Sequence, residues 1–400
     1  MTEYRWATNE DYESLIEMAN RAFHPEKHTE DFKKDTSPES FFPRILPKLY
    51  QNIGTAPMHY LAVQDGKIVG VVGNFDLPTM VAGEKLKVVG IGTVSTHPEH
   101  RREGHMIRLM NDSIAHAKET GADYLVLGGE RQRYEHWGFG QAGVNPGFEL
   151  NDWNFGRIFG KEASFGYEFW KLEKTDTEEI RASRRLRTSE ETYVLHDEEQ
   201  EYNILCSMGA TPYLVKKDGA FAGTMMYFPS EHALGDLRFT EESEALYILN
   251  DFMKAMELPT LKVSRIPPDR TALLAVLSKY AEEGVLMPCE MIRVLNYERT
   301  IRAFLRMKCR IFSLPDEELR VHFDNGERLL IGVRDGAEAV QQIEDGPFDL
   351  EFENPTDAVN YFFGNLGFIT DYGCEKRERT RLLRPAFLPL PYYQPACDEI

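Results

Sequence analysis

The chain has 400 residues, which at roughly 150 residues per domain predicts two to three domains and excludes a lone small binding module. Hydrophobic residues make up 42% of it and charged residues 28%, a balance that excludes wholesale disorder. A formal net charge of −19 would repel a phosphate backbone and attract small cations, so a nucleic acid is not an expected partner.

The first 23 residues predict a helix. Thr8 is followed three residues later by Asp11, the spacing of a capping box, and apolar residues recur at helical spacing from Tyr12 to Phe23. Acidic residues run throughout this stretch and no uninterrupted apolar core occurs, so it predicts neither a signal peptide nor a membrane span. We therefore expect a cytoplasmic protein that opens with a helix and has no membrane partner.

The next segments alternate between strand and helix patterns. Residues 60–75 form two β-prone runs around Asp65-Gly66, a strong hairpin signal. A β-branched run over 86–95 predicts a long strand, and an amphipathic helix over 106–117 follows it. A short apolar run over 124–127 then predicts a buried strand. This order predicts an α/β layered domain with a mixed sheet.

The middle of the chain repeats part of this pattern. Residues 213–228 match residues 60–75 at six of sixteen positions, at an offset of 153. The match predicts a second copy of the first fold, and chance similarity between two Asp-Gly hairpins is the alternative. At this offset Gly104 corresponds to Glu257, around which neither glycine nor paired arginines occur. The repeat therefore predicts that the second copy lacks the arginine-rich loop of the first.

Beyond Pro288 the pattern indicates a third, α+β domain. Residues 291–305 predict an amphipathic helix, Asn325-Gly326 predicts a hairpin, and residues 354–368 predict a further helix. The tail from residue 383 is proline-rich and apolar, and we expect it to pack into the body of the protein.

The loop before the 106–117 helix has the residues of an anion site. Arg101, Arg102 and Gly104 precede the helix N-terminus, where free N–H groups and the absence of a glycine side chain would admit a pyrophosphate. A charged helix cap is the alternative interpretation. Neither GxGxxG nor GxxxxGK[ST] occurs, which disfavours other nucleotide sites. Five cysteines, odd in number and without a CxxC pair, predict no disulfide framework and no metal site.

These residues resemble a known family. The segment from Arg101 to Met106 is similar to the Q/R-x-x-G-x-G/A loop of the GNAT superfamily of N-acetyltransferases, with Met106 where the family has a small residue. Glu130-x-x-x-Tyr134-x-x-x-Gly138-Phe139, the order of the domains and the apolar tail resemble the Eis (enhanced intracellular survival) family.

The resemblance implies three domains of an α/β (α+β) fold. A catalytic GNAT domain would cover residues 1–150 and a degenerate GNAT-like domain residues 151–288, both with mixed sheets. A sterol-carrier-like α+β domain would cover residues 289–400, its tail reaching the active site. A homohexamer is implied as well.

The resemblance also implies site residues. Acetyl-CoA would be the co-substrate, with no metal. Tyr134 would be the general acid, and the terminal carboxylate of Ile400 the base, where family members typically end in an aromatic residue. The implied acetyl-CoA-binding residues are Val94, Ser95, Thr96, Arg101, Arg102, Glu103, Gly104, His105, Met106, Ile107, Gly129 and Glu130.

The sequence thus predicts an acetyl-CoA-dependent N-acetyltransferase. Its acceptor would be a primary amine on a cationic small molecule or a peptide lysine, and the Eis resemblance implies an aminoglycoside or another polyamine-like compound. Direct transfer is favoured because neither a Ser-His-Asp order nor a cysteine nucleophile context is evident. Alternative interpretations remain: Tyr134 could be a core aromatic, and the third domain could make the chain a non-catalytic acyl-CoA or lipid-binding protein. The alternative bases are His97, His100, His105 and His136.

Overall fold

A computed structural model describes residues 1–23, 41–344, 346–364 and 385–400, and within these ranges the strands form four sheets. No helix in these ranges is both long and apolar enough to cross a membrane.

Within its described residues, the first part of the chain carries eight strands and five α-helices. The strands are β1 (Thr2–Trp6), β2 (His59–Gln64), β3 (Lys67–Asp76), β4 (Thr79–Val81), β5 (Glu84–Leu86), β6 (Val88–Thr96), β7 (Tyr124–Leu127) and β8 (Gly140–Ala142). The helices are α1 (Tyr12–Phe23), α2 (Phe41–Ile45), α3 (Pro47–Tyr50), α4 (His105–Glu119) and α5 (Arg131–Tyr134).

The middle part contains the second copy of the pattern. Its strands are β9 (Asn145–Asn151), β10 (Tyr167–Lys171), β11 (Thr192–Val194), β12 (Thr211–Lys217), β13 (Ala220–Phe228), β14 (Ala233–Phe239), β15 (Thr260–Val263) and β16 (Glu283–Met287). Its helices are α6 (Asp152–Phe159), α7 (Thr177–Arg187), α8 (Glu201–Leu205), α9 (Ala245–Ala255) and α10 (Thr271–Tyr280).

The described residues of the last part form five strands and two α-helices. Its strands are β17 (Glu290–Val294), β18 (Glu317–His322), β19 (Arg328–Arg334), β20 (Ala337–Gln342) and β21 (Leu350–Glu351). Its helices are α11 (Tyr297–Ile311) and α12 (Pro355–Phe363), and residues 365–368 of the predicted second helix lie outside the described residues.

The predicted first helix is α1, with a capping box between Thr8 and Asp11. The expectation that a helix opens the chain is wrong, because β1 precedes α1 and pairs antiparallel with β2. Tyr4 and Trp6 alternate with charged residues in this strand, which is the period of two that a half-buried strand shows.

The Asp-Gly hairpins are confirmed in both copies. In the turn between β2 and β3, Asp65 and Gly66 have φ of 51° and 75°, and in the turn between β12 and β13, Asp218 and Gly219 have φ of 52° and 77°. Positive φ at both central residues is what a two-residue hairpin turn of type I′ requires, and Asp-Gly accepts it at little cost.

Each large sheet contains a strand that lies far along the chain from its neighbours in the sheet. The first has the order β1-β2-β3-β6-β7-β17-β8, and the second β10-β12-β13-β14-β15-β9-β16. β17 therefore lies in the first sheet and β9 in the second. The prediction of one helix over 291–305 is wrong, because β17 precedes α11. The domain boundaries after residues 150 and 288 stay predictions.

In the last part, β18 to β21 form a small sheet in the order β20-β19-β18-β21, with the predicted Asn325-Gly326 turn joining β18 and β19. Phe323 lies 3.9 Å from Tyr297 of α11 and 5.7 Å from Phe362 of α12, measured between ring centroids. Aromatic rings of both helices thus pack against the residue that follows β18. The likeness to sterol carriers stays a prediction.

The prediction that the tail packs into the body is confirmed for residues 385–400, which we call the tail; Leu383 and Arg384 lie outside the described residues. Phe387, Tyr392 and Cys397 are completely buried. Tyr392 packs against Phe304 of α11 and Tyr124 of β7, so the tail joins the last part of the chain to the first sheet.

Candidate functional site

The first sheet opens between β6 and β7. These strands are parallel, and they pair only where Val88 to Gly90 face Tyr124 to Val126. Gly92 and Gly128 each come two residues after the last pair, so they stand at the same level on opposite sides of a gap, which we call the strand opening. Backbone groups that face such a gap can bind a ligand instead of a neighbouring strand.

A bulge in β6 lies next to the strand opening. Thr93 and Val94 together face the single residue Val72 of β3, and Thr93 has a left-handed φ of 52°. Tyr50 hydrogen-bonds the Thr93 hydroxyl and also contacts His59 Nε2 at 2.9 Å. A bulge bends the strand that carries it and so changes the direction of the residues that follow. The strand that continues to Thr96 includes three of the acetyl-CoA-binding residues that the resemblance implies, Val94, Ser95 and Thr96.

The predicted pyrophosphate residues lie at the start of α4. Residues 101–104, which we call the anion loop, are exposed, and Arg102 and Gly104 have φ of 71° and 84°. α4 then begins at His105, so the N–H groups of its first turn have no partner within the helix. A Cβ at Gly104 would meet open space. Two arginines, free N–H groups and an open approach suit a pyrophosphate.

Charged side chains flank the anion loop. Glu103 contacts His105 Nε2 at 3.2 Å and His100 Nδ1 at 3.4 Å, and His105 Nδ1 contacts the Tyr4 hydroxyl at 2.9 Å. Ligand atoms of His100, Glu103 and His105 lie within 4.8 Å of one another. Among the described residues, this is the group close enough together to hold a metal ion. Their bonds to one another and to Tyr4 account for the grouping, and the prediction of no metal stays a prediction.

The two remaining alternative bases have local partners. The side chain of His97 accepts a hydrogen bond from the N–H of Glu99 and so caps the turn over 98–100. The ring of His136 stacks on Trp137 with centroids 3.7 Å apart, and Trp137 donates to Asn111 Oδ1 at 2.9 Å. These contacts give His97 a capping role and His136 a packing role.

Tyr134 lies at the end of the short helix α5, beside the end of β7. Its Cε2 is 3.2 Å from where a Cβ of Gly129 would be, and Gly129 has φ of 122°. The side chain is buried, and burial raises the pKa of its hydroxyl above the ordinary value, so it stays protonated at neutral pH. Glu130 is exposed instead and pairs with Arg133 at 3.3 Å.

Ile400 lies on the other side of the strand opening. Its carboxyl carbon is 3.7 Å from where a Cβ of Gly92 would be, and its side chain occupies the place of a Cβ on Gly90. Any larger residue at position 90 would collide with Ile400. The two glycines of β6 thus make room for the end of the chain.

Sequence reasoning missed Glu290, the first residue of β17. Its Oε2 is 3.2 Å from where a Cβ of Gly128 would be, and its Oε1 is 3.6 Å from Arg265 Nη2. Arg265 also pairs with Glu399. Burial, and then the charge of Glu399, raise the pKa of Glu290 to about 7 against the opposing effect of Arg265. The one signal was the Gly128-Gly129 pair, which leaves space beside the end of β7.

The structure therefore brings three groups to one level of the first sheet. Tyr134 lies on Gly129, Glu290 lies beside Gly128, and Ile400 lies beside Gly92. The anion loop follows β6 after the turn over 98–100. The site has an acid, two carboxylates and a loop suited to a pyrophosphate.

Residues 3–142 match the sequence model of the acetyltransferase (GNAT) domain family. Comparison with curated protein sequences gives no significant match.

Solved structures extend the likeness beyond this domain. A GCN5-related N-acetyltransferase from Anabaena variabilis superposes with a TM-score of 0.61 at 14% identity, and Eis1 from Mycobacterium abscessus with 0.62 at 12%, each over 100% of both chains. A GCN5-related N-acetyltransferase from Kribbella flavida gives 0.60 at 15%, over 90% of both. At these identities the likeness shows the fold alone. It confirms the predicted mixed α/β, GNAT-like fold.

Proposed function

We propose that the chain is an acetyl-CoA-dependent N-acetyltransferase that works in its first sheet. The observation that carries the proposal is the strand opening between β6 and β7, with the anion loop at the start of α4. The thioester end of an extended acyl-CoA would lie between the two strands, and its pyrophosphate would lie against Arg101, Arg102 and the first turn of α4.

Direct transfer needs one base and one acid. The amine nitrogen attacks the thioester carbonyl carbon, a C–N bond forms, the C–S bond breaks, and the thiolate leaves. Before the attack, the carboxylate of Ile400 takes one proton from the bound ammonium, directly or through a water. After it, the Tyr134 hydroxyl protonates the thiolate, and the second proton that the nitrogen loses on forming the amide restores the tyrosine. A hydroxyl kept neutral by burial is suited to donation.

The carboxylates around the strand opening favour a cationic acceptor. Glu290, Glu399 and the terminal carboxylate of Ile400 carry three negative charges when ionised, against one positive charge on Arg265. A net negative pocket attracts an ammonium group and disfavours an acidic acceptor. The acceptor class we propose is therefore a primary amine on a molecule with several positive charges, such as an aminoglycoside or a polyamine.

The lipid-binding alternative has less support. The apolar face of the small sheet packs on α11 and α12 through Phe323, Tyr297 and Phe362. These rings pack on one another between the small sheet and the two helices, where an acyl chain bound between them would have to displace them.

The test is release of free thiol from acetyl-CoA by the full chain in the presence of polyamines, monoamines and neutral hydroxyl compounds. We expect thiol release and a mass gain of one acetyl group with polyamines, weaker release with monoamines, and none with hydroxyl compounds. If acetyl-CoA binds but no amine is acetylated above the uncatalysed rate, the proposal is wrong.

A further inference from the structure

The last turn of the tail, Ala396–Asp398, packs among charged side chains. We call the pocket that His196, Arg187 and Lys48 form around Asp398 the socket. Asp398 is completely buried, and its Oδ1 is 2.5 Å from His196 Nε2. Its Oδ2 has no hydrogen-bond partner among the described residues. Since an ionised carboxylate only accepts hydrogen bonds, the proton of this bond belongs to His196 Nε2.

Positive groups keep Asp398 ionised. Burial alone would raise the pKa of this carboxyl, yet His196, Arg187 and Lys48 hold it well below its ordinary value. Lys48 is itself buried and donates to the carbonyl oxygen of Cys397 at 2.5 Å. Arg187 bonds both carboxylate oxygens of Glu201, at 3.0 and 2.6 Å. His196 is thus the side chain that bonds the Asp398 carboxylate directly.

His196 is held by contacts with the first part and with the middle part of the chain. It follows β11, which pairs antiparallel with β4 of the first part, and Leu195 N–H donates to Pro78 at 2.8 Å. Its carbonyl accepts a hydrogen bond from Arg184 of α7 at 2.9 Å. The backbone of His196 is therefore fixed relative to both parts of the chain.

The distance from this socket to the chain end is short. Ile400 comes two residues after Asp398, and two extended residues span at most about 7 Å. The residue between them, Glu399, is tied to Arg265. An anchor on Asp398 thus confines the terminal carboxylate to the strand opening.

We propose that His196 is a positioning residue for acetyl transfer: its Nε2–H bond to the Asp398 carboxylate holds the end of the chain where Ile400 acts as the base. The effect on turnover rests on the proposed function. The effect on docking of the tail does not.

The test compares His196→Ala with His196→Gln. Alanine removes the donor, whereas the glutamine amide can still donate to Asp398. His322→Ala is the matched control, because His322 forms another histidine–carboxylate pair, with Glu351 at 3.9 Å, in the small sheet. Two rates are measured: removal of Ile400 by a carboxypeptidase, and kcat for polyamine acetylation beside the KM for acetyl-CoA.

We expect His196→Ala to release Ile400 about tenfold to a hundredfold faster, the effect of one charge-assisted hydrogen bond. Its kcat should fall at least several-fold with an unchanged KM for acetyl-CoA, which also shows that the protein is folded. His196→Gln should recover most of both, and His322→Ala should match the wild type.

The outcomes separate two failures. Unchanged release of Ile400 in His196→Ala overturns the anchoring role of His196. Faster release of Ile400 with an unchanged kcat supports the anchoring role of His196 but overturns its positioning role, because the terminal carboxylate is then not the base. Equal loss in His196→Gln and His196→Ala overturns the assignment of the Nε2–H bond.

Discussion

Two strands of this chain, β6 and β14, carry the same bulge and differ in what covers it. In β6, Thr93 begins the bulge with φ of 52°, and in β14 Asp236 begins it with φ of 46°. Each follows a glycine, Gly92 or Gly235, that pairs with the preceding hairpin. The two copies therefore share their backbone geometry at the place where the first is proposed to bind acetyl-CoA.

The tail contacts both bulges. Asp236 accepts a hydrogen bond from the N–H of Cys397 at 2.5 Å, and its carboxylate lies 3.3 Å from the Tyr393 hydroxyl. Ala396 lies 3.4 Å from where a Cβ of Gly235 would be. Four residues later, the carboxyl carbon of Ile400 stands beside Gly92. The bulge of β14 thus binds residues 393–397 of the tail, and the bulge of β6 lies beside its last residue, Ile400.

The loops after the two strands differ in charge. The anion loop before α4 contains Arg101, Arg102 and Gly104, whereas residues 240–244 before α9 contain three glutamates and no glycine. The sequence placed the counterpart of Gly104 near Glu257, which is wrong. The first copy carries the extra strands β4 and β5, so the offset falls from 153 to 143 beyond them. The two copies thus share the bulge and differ in the charge of the loop that follows it, and the proposed acetyl-CoA site depends on that difference.

The largest expected effect comes from charging the anion loop. Gly104→Glu should weaken acetyl-CoA binding by at least about a hundredfold, because it places a side chain at a left-handed φ and a negative charge beside the pyrophosphate. Ser243→Glu, in the loop before α9, is the control and should leave the affinity unchanged. Calorimetry measures both. Equal affinities in the two variants would remove the distinction between the loops.

Extending the chain beyond Ile400 tests the role of the tail. A short carboxy-terminal extension displaces the terminal carboxylate while leaving Asp398 and the socket in place. We expect kcat for polyamine acetylation to fall by about 10²- to 10⁴-fold with acetyl-CoA affinity unchanged. The same extension at the amino terminus is the control. Wild-type turnover by a protein shown by mass to be intact and extended at its carboxy terminus would exclude Ile400 as the base.

Tyr134→Phe removes the proposed proton donor and keeps the ring that packs beside Gly129. We expect kcat to fall by about 10²-fold, at the low end for general acid catalysis because the leaving thiolate is stable, with acetyl-CoA affinity nearly intact. Tyr247→Phe on α9 is the matched control in the second copy. Steady-state kinetics with a polyamine measures both, and an unchanged kcat would make Tyr134 a packing residue.

Glu290→Gln should have the smallest effect, a change in pH dependence. As the pH rises through about 7, Glu290 loses its proton and adds one negative charge beside the acceptor, so kcat/KM for a polyamine should rise over this range. The variant should lack this rise, whereas the exposed Glu283→Gln should keep it. A rise near pH 7 that persists in Glu290→Gln would assign it to another group.

Burial of Glu290 has a matching consequence for stability. Because its pKa in the folded protein is raised from 4.5 to about 7, the neutral carboxyl favours the folded state at low pH. That contribution to the free energy of unfolding is lost as the pH rises between these two values. Glu290→Gln should flatten this part of the stability profile in thermal unfolding.

Local signals predicted much of the fold. The Asp-Gly turns, α1 with its capping box, α4 and the buried tail follow from patterns that neighbouring residues carry. The exchange of β9 and β17 between the sheets does not, because pairing of Glu290 with Ala142 joins residues far apart in sequence and no local pattern records it. Met291 and Val294 even match helical spacing, which explains the wrong helix.

In the candidate site, too, some residues could be predicted from the sequence and others could not. The anion loop and Tyr134 were found because a contiguous motif carries them. Glu290 and His196 were missed because each is a single residue whose partners, Arg265 and Asp398, come close only in the folded chain. The terminal carboxylate of Ile400 came from family resemblance, and its contact with Gly90 and Gly92 gives those glycines a steric reason.

The number of acetyl-CoA molecules bound per chain tests most directly the claim that one copy works and the other holds the tail. Isothermal titration of the full chain should give one site, since the bulge of β14 is occupied by Ala396 and Cys397 and the loop before α9 is acidic. Two sites per chain, or one site that survives Gly104→Glu with wild-type affinity, would contradict the account.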